Sequence, residues 1–328
     1  MAEALIIERV PARAALAGNP SDGYGGAVLA APVRSVGATI TLRHSDGFEI
    51  AGRRFGTWND VIAPPAADAP ITQPELVQAA IRAYAAIVSP DPYEPCAIDV
   101  DTTIPRSVGL AGSSAIIIAT LRSIARHAAH PALAPDELAV VALAAEVEQL
   151  GITAGLQDRL VQSAEEVIHM EFGSSSVPAL FGRPAARYQI VAASLAPHLF
   201  VAHRRAAAAS SDATHRPLRD RFDTGDADVI TAMATLAGEA RAATTALEAG
   251  DVSALGSAMN RSFDLRRSVV PLNPAHVEMV DRARLAGAAA NYSGSGGAVT
   301  VLAPDDAVAT HARSALAEIG CEILPLGT

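Results

Sequence analysis

Lysine is missing from this chain: all 25 basic residues among its 328 are Arg. That excludes Schiff-base chemistry on a lysine amine and the lysine of a Walker-type phosphate loop. Aromatic residues are scarce at 4%, with a single Trp, so the core must be assembled from Ala and branched aliphatics on closely packed elements. Two cysteines, Cys96 and Cys321, are too few for a disulfide framework or a Cys-rich zinc site, and the nine histidines show no H-x-x-x-H or Cys/His clustering. Against 35 acidic residues the formal charge is −10, without the basic footprint of a nucleic-acid or anionic-membrane binder. No apolar run of about 18 residues occurs, and the first segment, MAEALIIERVPAR, lacks the basic and apolar regions of a signal peptide. These absences predict a cytoplasmic protein acting on a small molecule, with no nucleic-acid or membrane partner. What is present is apolar bulk: half the residues, in a chain sized for one large or two ordinary domains.

The first hundred residues read as strands and turns. They comprise an apolar stretch Ala4–Val10, a Gly-rich segment Gly18–Gly26, and an alternating run Ala38–Ile50 with Ser45-Asp46-Gly47 as a hairpin turn. Gln73–Ile87 carries apolar residues at helical spacing, and Cys96–Asp101 alternates again. From Ser113 the run AIIIATLRSIARHAA is apolar on all sides, as in a buried helix; Asp136–Leu150 and Asp158–Ser163 predict two more. Gly, Pro and consecutive serines between Phe172 and Tyr188 suggest a joint, giving domains 1–184 and 185–328. Beyond it, strands are expected over Tyr188–His203, a mobile small-residue stretch over Ala206–Thr214, and helices over Asp226–Ala249, Val252–Arg267 and Pro274–Gly287. A Gly-rich loop Ser293–Gly297, a strand Ala298–Ala303, a helix and a strand close the chain. The alternation in both halves predicts an α+β fold in two lobes.

The segment with most chemistry is Pro105-Arg-Ser-Val-Gly109-Leu110-Ala111-Gly112-Ser113-Ser114-Ala115, a Gly/Ser loop running into the buried helix. Small residues let backbone N–H groups converge on an anion, and the helix start adds free donors. By itself the loop fits equally an ordinary buried helix capped by Ser113 or Ser114.

The pattern P-x3-G-L-x-G-S-S-A is similar to the phosphate-binding motif of the GHMP kinases, which include galactokinase, homoserine kinase and mevalonate kinase. Two further segments resemble the family's other motifs in the right order: Ala12-Arg13-Ala-Ala-Leu-Ala-Gly-Asn19-Pro-Ser-Asp22, and Ser293-Gly294-Ser295-Gly296-Gly-Ala298. The glucuronokinase branch is more similar still, at Gly18–Asp22, Ile104-Pro-Arg106, Leu150-Gly-Ile-Thr-Ala-Gly-Leu-Gln-Asp-Arg159 and Asn260–Arg267. Anomeric heptose-phosphate kinases share the G-x-x-x-G-x-Q-D element. The resemblance implies an N-terminal lobe like domain 2 of ribosomal protein S5, a C-terminal GHMP lobe, and a cleft for ATP, Mg2+ and a sugar or sugar acid phosphorylated at its anomeric hydroxyl. A sensor that kept the fold without turnover is the reading from another class.

By that resemblance Asp158 is the catalytic base or orienter, and Arg13 the cation that holds it and stabilises the transferring phosphate. Pro105 and the 109–115 segment bind nucleotide, while Asn19, Asp22 and the Gly294-Ser295-Gly296 loop meet substrate. Helical periodicity leaves Glu146 and Glu148 open as a metal ligand; the family's offset from Gly151 favours Glu146, with Ser114 as the second ligand. Arg266 is expected to clamp a substrate anion, since the Arg fork matches a carboxylate. Pro20 stands where galactokinases place a His, which points away from galactose. Trp58 is weighed between adenine stacking and loop anchoring, and Cys96 reads as a buried small hydrophobe.

Overall fold

Ile6–Ala17 (β1) and Ala27–His44 (β2) form a long antiparallel pair, with Ile6 opposite Leu42 at one end and Ala17 opposite Leu29 at the other. The structure, a computed structural model, describes residues 5–65, 70–89, 91–173, 177–192, 198–204 and 212–326, except the side chains of 212–217. The first strand runs well past Val10, where the apolar stretch was expected to end. From Val10 on it is buried throughout, so it shows no alternation.

Phe48–Ile50 (β3), Arg53–Phe55 (β4), Cys96–Thr102 (β5), Ile168–Glu171 (β6) and Arg187–Ile190 (β7) complete a seven-stranded sheet, ordered β4-β3-β5-β2-β6-β7 with β1 also on β2. The expected hairpin turn at Ser45–Gly47 is not one. Beta-strand β5 occupies the edge of β2 along Ala38–His44, so β3 lands on the far side of β5 and runs parallel to it. The hairpin lies between β3 and β4, where Ala51 and Gly52 both take positive φ, 47° and 81°, as a tight two-residue turn requires.

Trp58–Ile62 (α1) and Gln73–Ile87 (α2) follow β4; the Glu75 carboxylate accepts the Thr72 N–H at 3.1 Å and stops α2 from fraying. Gly112–His127 (α3), Pro135–Leu150 (α4) and Leu156–Ala164 (α5) come next; α3 and α5 pack over β1 and β2, α4 packs on α2, α3 and α5, and α3 is buried along most of its length.

Leu199–His203 (β8), Ala289–Tyr292 (β9), Ala298–Leu302 (β10) and Glu322–Pro325 (β11) form a second, antiparallel sheet ordered β11-β8-β10-β9. Between β8 and β9 lie Asp212–Asp223 (α6), Ala227–Glu248 (α7), Val252–Val269 (α8) and Pro274–Leu285 (α9); Asp306–Glu318 (α10) precedes β11. The second core gathers Phe200, Phe263, Met279, Tyr292 and Leu316. Most of the stretch 206–214 lies outside the described residues; α6 starts at Asp212.

The two lobes are α+β, as expected. The joint placed at 184/185 falls between β6 and β7, and β7 still pairs with β6, so the first sheet extends through Ile190. The lobes also share apolar packing: Ala27 of β2 meets Ala237 and Ala240 of α7, and a Cβ on Gly18 would run into the Ala240 side chain.

Candidate active site

A cavity of about 1140 Å3 opens where β1, the loop before α3, the start of α5 and the loop after β9 converge. Its order begins with Arg13, held rigid in the buried stretch of β1. One Arg13 nitrogen pairs with Asp158 Oδ1 and another donates to the Ser293 carbonyl, so a single guanidinium joins α5 to the loop of the second sheet. Asp158 sits in the first turn of α5 with its side chain 22% exposed, toward the cavity.

The loop before α3 is built as an anion cradle. Ser107, Gly109 and Ala111 all take positive φ, at 58°, 74° and 61°, an alternation that turns successive N–H groups to one side. Ala111 occupies the N-cap with no side-chain cap bond, so the donors at the start of α3 stay available. Gly109 needs its missing side chain: a Cβ there would sit 2.9 Å from the Gly296 carbonyl oxygen. The two Gly-rich loops therefore pack backbone against backbone.

Glu146 is 0% exposed on α4, with Arg159 on Oε2 and the Ser113 hydroxyl donating to Oε1 at 2.7 Å. Glu148, the alternative, lies on the exposed side of α4 and accepts from Arg183 Nε and Nη2, each at 2.7 Å. Among the described residues no group of three His, Cys, Asp or Glu is arranged to hold a metal. Glu146 and Ser113 are hard oxygen donors, which fits Mg2+ completed by phosphate oxygens and water.

The second predicted ligand needs correction. Ser114 is fully buried, donating to Gln162 Oε1 at 2.6 Å; Ser113, one helix step away, is the hydroxyl facing the cavity. Gln162 explains this: its amide nitrogen donates to the Ala111 carbonyl at 2.8 Å and to that of Pro11 at 3.0 Å, tying the cradle to β1.

Other predicted contacts also take different roles. Asn19 lines the cavity, yet its amide donates to the Tyr292 and Gly294 carbonyls at 3.3 and 3.4 Å and accepts from Asn291. It is a tie between β1 and the second sheet. Arg266 is 1% exposed, lies over the Tyr292 ring at 4.7 Å and donates to the Gly294 carbonyl at 2.8 Å, so it supports the third loop while still lining the cavity. Gly294 and Ser295 line the cavity, whereas Gly296 is packed against His276. Pro105, Gly109, Leu110, Ala111 and Gly112 line it; Ala115 is buried behind them. Trp58 lies edge-on to Tyr93 at 4.6 Å, outside the cavity lining, so it anchors a loop. Cys96 is buried, which pushes its thiol up to about 12.

Asp22 lines the cavity and its carboxyl is raised to about 6, by burial first and then by the charge of Asp158, against the lowering pull of Arg13. Sequence reasoning assigned no role to Arg159, although it follows Asp158. It lies buried between Glu146 and Asp158, 3.5 Å from Asp158 Oδ2, with burial and Arg13 pulling it down to about 9. Among the described residues, Arg13 Nε, Gln157 Nε2, Arg159 Nε and Arg266 Nε are buried, without partners, on residues lining this cavity. Such donors suit a ligand rich in oxygen.

Residues 75–164 match the GHMP kinases N terminal domain, and residues 243–320 match the GHMP kinases C terminal domain. Glucuronokinase 1 of Arabidopsis thaliana is 32% identical over 327 residues, covering 93% of this chain and 86% of its own. Probable glucuronokinase 2 of the same plant is 33% identical over 319 residues, covering 90% and 83%. The solved Streptococcus pneumoniae phosphomevalonate kinase in complex with phosphomevalonate and AMPPNP superposes with a TM-score of 0.78 at 14% identity, covering 97% of this chain and 98% of its own. With its motifs, both lobes and its cleft accounted for in this way, the chain belongs to the GHMP kinases.

Proposed function

We propose that this kinase transfers the γ-phosphoryl group of ATP to the anomeric hydroxyl of glucuronate, giving glucuronate 1-phosphate and ADP. The observation that carries the reading is the Arg13–Asp158 pair, set in the cavity that also receives the uncapped start of α3. A carboxylate and an anion cradle in one cavity are what a hydroxyl acceptor and a phosphoryl donor need. The two glucuronokinase relatives support the sugar acid, and the AMPPNP in the phosphomevalonate kinase structure supports the nucleotide.

In this reading Asp158 orients the hydroxyl and accepts its proton as the oxygen–phosphorus bond forms and the bond to the ADP oxygen breaks. Arg13 fixes the carboxylate and faces the charge developing on the transferred group. Backbone N–H groups from Gly109 to Ser113 hold the phosphates, and Asp22 accepts from a sugar hydroxyl. Glu146 and Ser113 would hold Mg2+, which when bound neutralises charge on the phosphate oxygens. The work is positioning and charge complementarity, with no covalent intermediate.

An ADP-release screen over glucuronate, galacturonate, galactose, glucose and heptose phosphates tests the reading. Turnover on glucuronate, reduced by about 10²-fold or more in Asp158→Asn, is the expected result. Turnover confined to a neutral or phosphorylated sugar would reassign the substrate. Nucleotide and sugar binding with no ADP release from any sugar would establish a sensor.

A further inference from the structure

Arg159 lies between the two carboxylates that the proposed function uses, and that reading gives it no task. Its side chain is 5% exposed, Nη2 pairs with Glu146 Oε2, and Nη1 donates to the Gly155 carbonyl at 2.8 Å. Nη1 also stands 3.5 Å from Asp158 Oδ2, so one guanidinium is shared between the carboxylate read as the Mg2+ ligand and the one read as the proton acceptor.

Glu146 lines the cavity at 0% exposure with both oxygens engaged, Oε2 by Arg159 and Oε1 by the Ser113 hydroxyl at 2.7 Å. The two partners differ in what they can do when a cation approaches. A hydroxyl has lone pairs and a rotatable hydrogen, so Ser113 can turn its donor away and join Glu146 in binding the ion. A guanidinium has donors alone and a fixed positive charge. Whichever oxygen of Glu146 the ion takes, Arg159 is a like charge on the same carboxylate, in buried surroundings that screen repulsion poorly. The guanidinium is also free to give way: its Nε is buried without a partner among the described residues, and Asp158 Oδ2 is a second carboxylate oxygen within reach.

We propose that Arg159 is a positioning residue that competes with the divalent ion for Glu146, so that the chain's own cation sets how tightly the metal is held. This rests on the reading of Glu146 as a metal ligand above.

The test measures Mn2+, a probe for Mg2+ at hard oxygen donors, binding to the complex with AMPPNP, by loss of the free-ion electron paramagnetic resonance signal. AMPPNP chelates the ion alike in every sample, so differences between variants belong to the protein. Arg159→Gln should bind Mn2+ about 10-fold more tightly than wild type, because a like charge leaves the shared carboxylate. Arg159→Lys, which keeps the charge, should stay near wild type. Thermal melts give a second readout. Arg159→Gln should melt below wild type in EDTA, where buried Glu146 has lost its partner, and should gain more than wild type on adding Mn2+.

A guanidinium that only aims Glu146 at the metal predicts the opposite sign, a loss of about 10- to 100-fold in Mn2+ affinity in Arg159→Gln. That loss, or an unchanged affinity, overturns the proposal, as does an Arg159→Lys that binds as tightly as Arg159→Gln. If Arg159→Gln and Arg159→Met show no cooperative melt with Mn2+ or without it, the ion does not replace the guanidinium on Glu146, and the proposal falls. If Glu146→Gln binds Mn2+ as wild type does, the metal reading of Glu146 itself fails. That outcome is distinct because it appears in a variant with Arg159 intact.

Discussion

At the scale of single residues the site turns on three carboxylates and two arginines held together. Asp158→Asn keeps the shape and removes the proton acceptor; kcat should fall by about 10²- to 10⁴-fold with ATP affinity retained, a split that steady-state kinetics and calorimetry resolve together. Asp22 carries the pH dependence. Its folded carboxyl is raised to about 6, so the native state binds a proton that the unfolded chain has released above its ordinary carboxylate range. Asp22 therefore favours folding at acid pH, and that contribution is lost as pH rises through about 6, at a cost on the order of 2–3 kcal/mol. Asp22→Asn should gain urea stability over wild type at pH 8, with the difference shrinking toward pH 4. In the wild type the KM for the sugar should rise below pH 6 as the acceptor protonates. The family resemblance singled out Asp158, Arg13 and Glu146 in the sequence, and all three line one cavity. Ser113 was not separable from Ser114, because the choice depends on helix phase and on Gln162, which reaches the cradle from a different helix.

At the scale of elements, helices were readable and strand pairing was not. Gln73–Ile87 emerges with the expected bounds because its cap and its periodicity are local. The partner of β3 could not be read locally, since β5, more than forty residues later in the chain, takes the edge that a hairpin would have used. The cradle itself carries strain: Ala111 sits at φ 61°, where an L side chain is disfavoured. Ala111→Gly should raise unfolding stability by about 1 kcal/mol in urea melts. Gln162→Leu should do the reverse, removing the amide donor from the Pro11 carbonyl and the 2.6 Å acceptor from the Ser114 hydroxyl and raising the KM for ATP through a loosened loop.

At the scale of the whole molecule the two lobes are not independent bodies. The joint suggested by Gly, Pro and Ser composition marks a loop between strands of one sheet, because composition reports a turn without saying which sheet the next strand will join. Ala243, Ala246, Leu255 and Met259 from the second half share a core with β1, β2 and α3. Residues 1–190 expressed alone should therefore lack a cooperative thermal transition, and the full chain should melt in one, by calorimetry. The contact between Gly109 and Gly296 then acquires a thermodynamic meaning. In the proposed function one loop faces the phosphates and the other the acceptor, so a ligand that settles either backbone would change the work of settling its neighbour. Such linkage is reciprocal: whatever factor ADP applies to sugar affinity, the sugar must apply to ADP affinity.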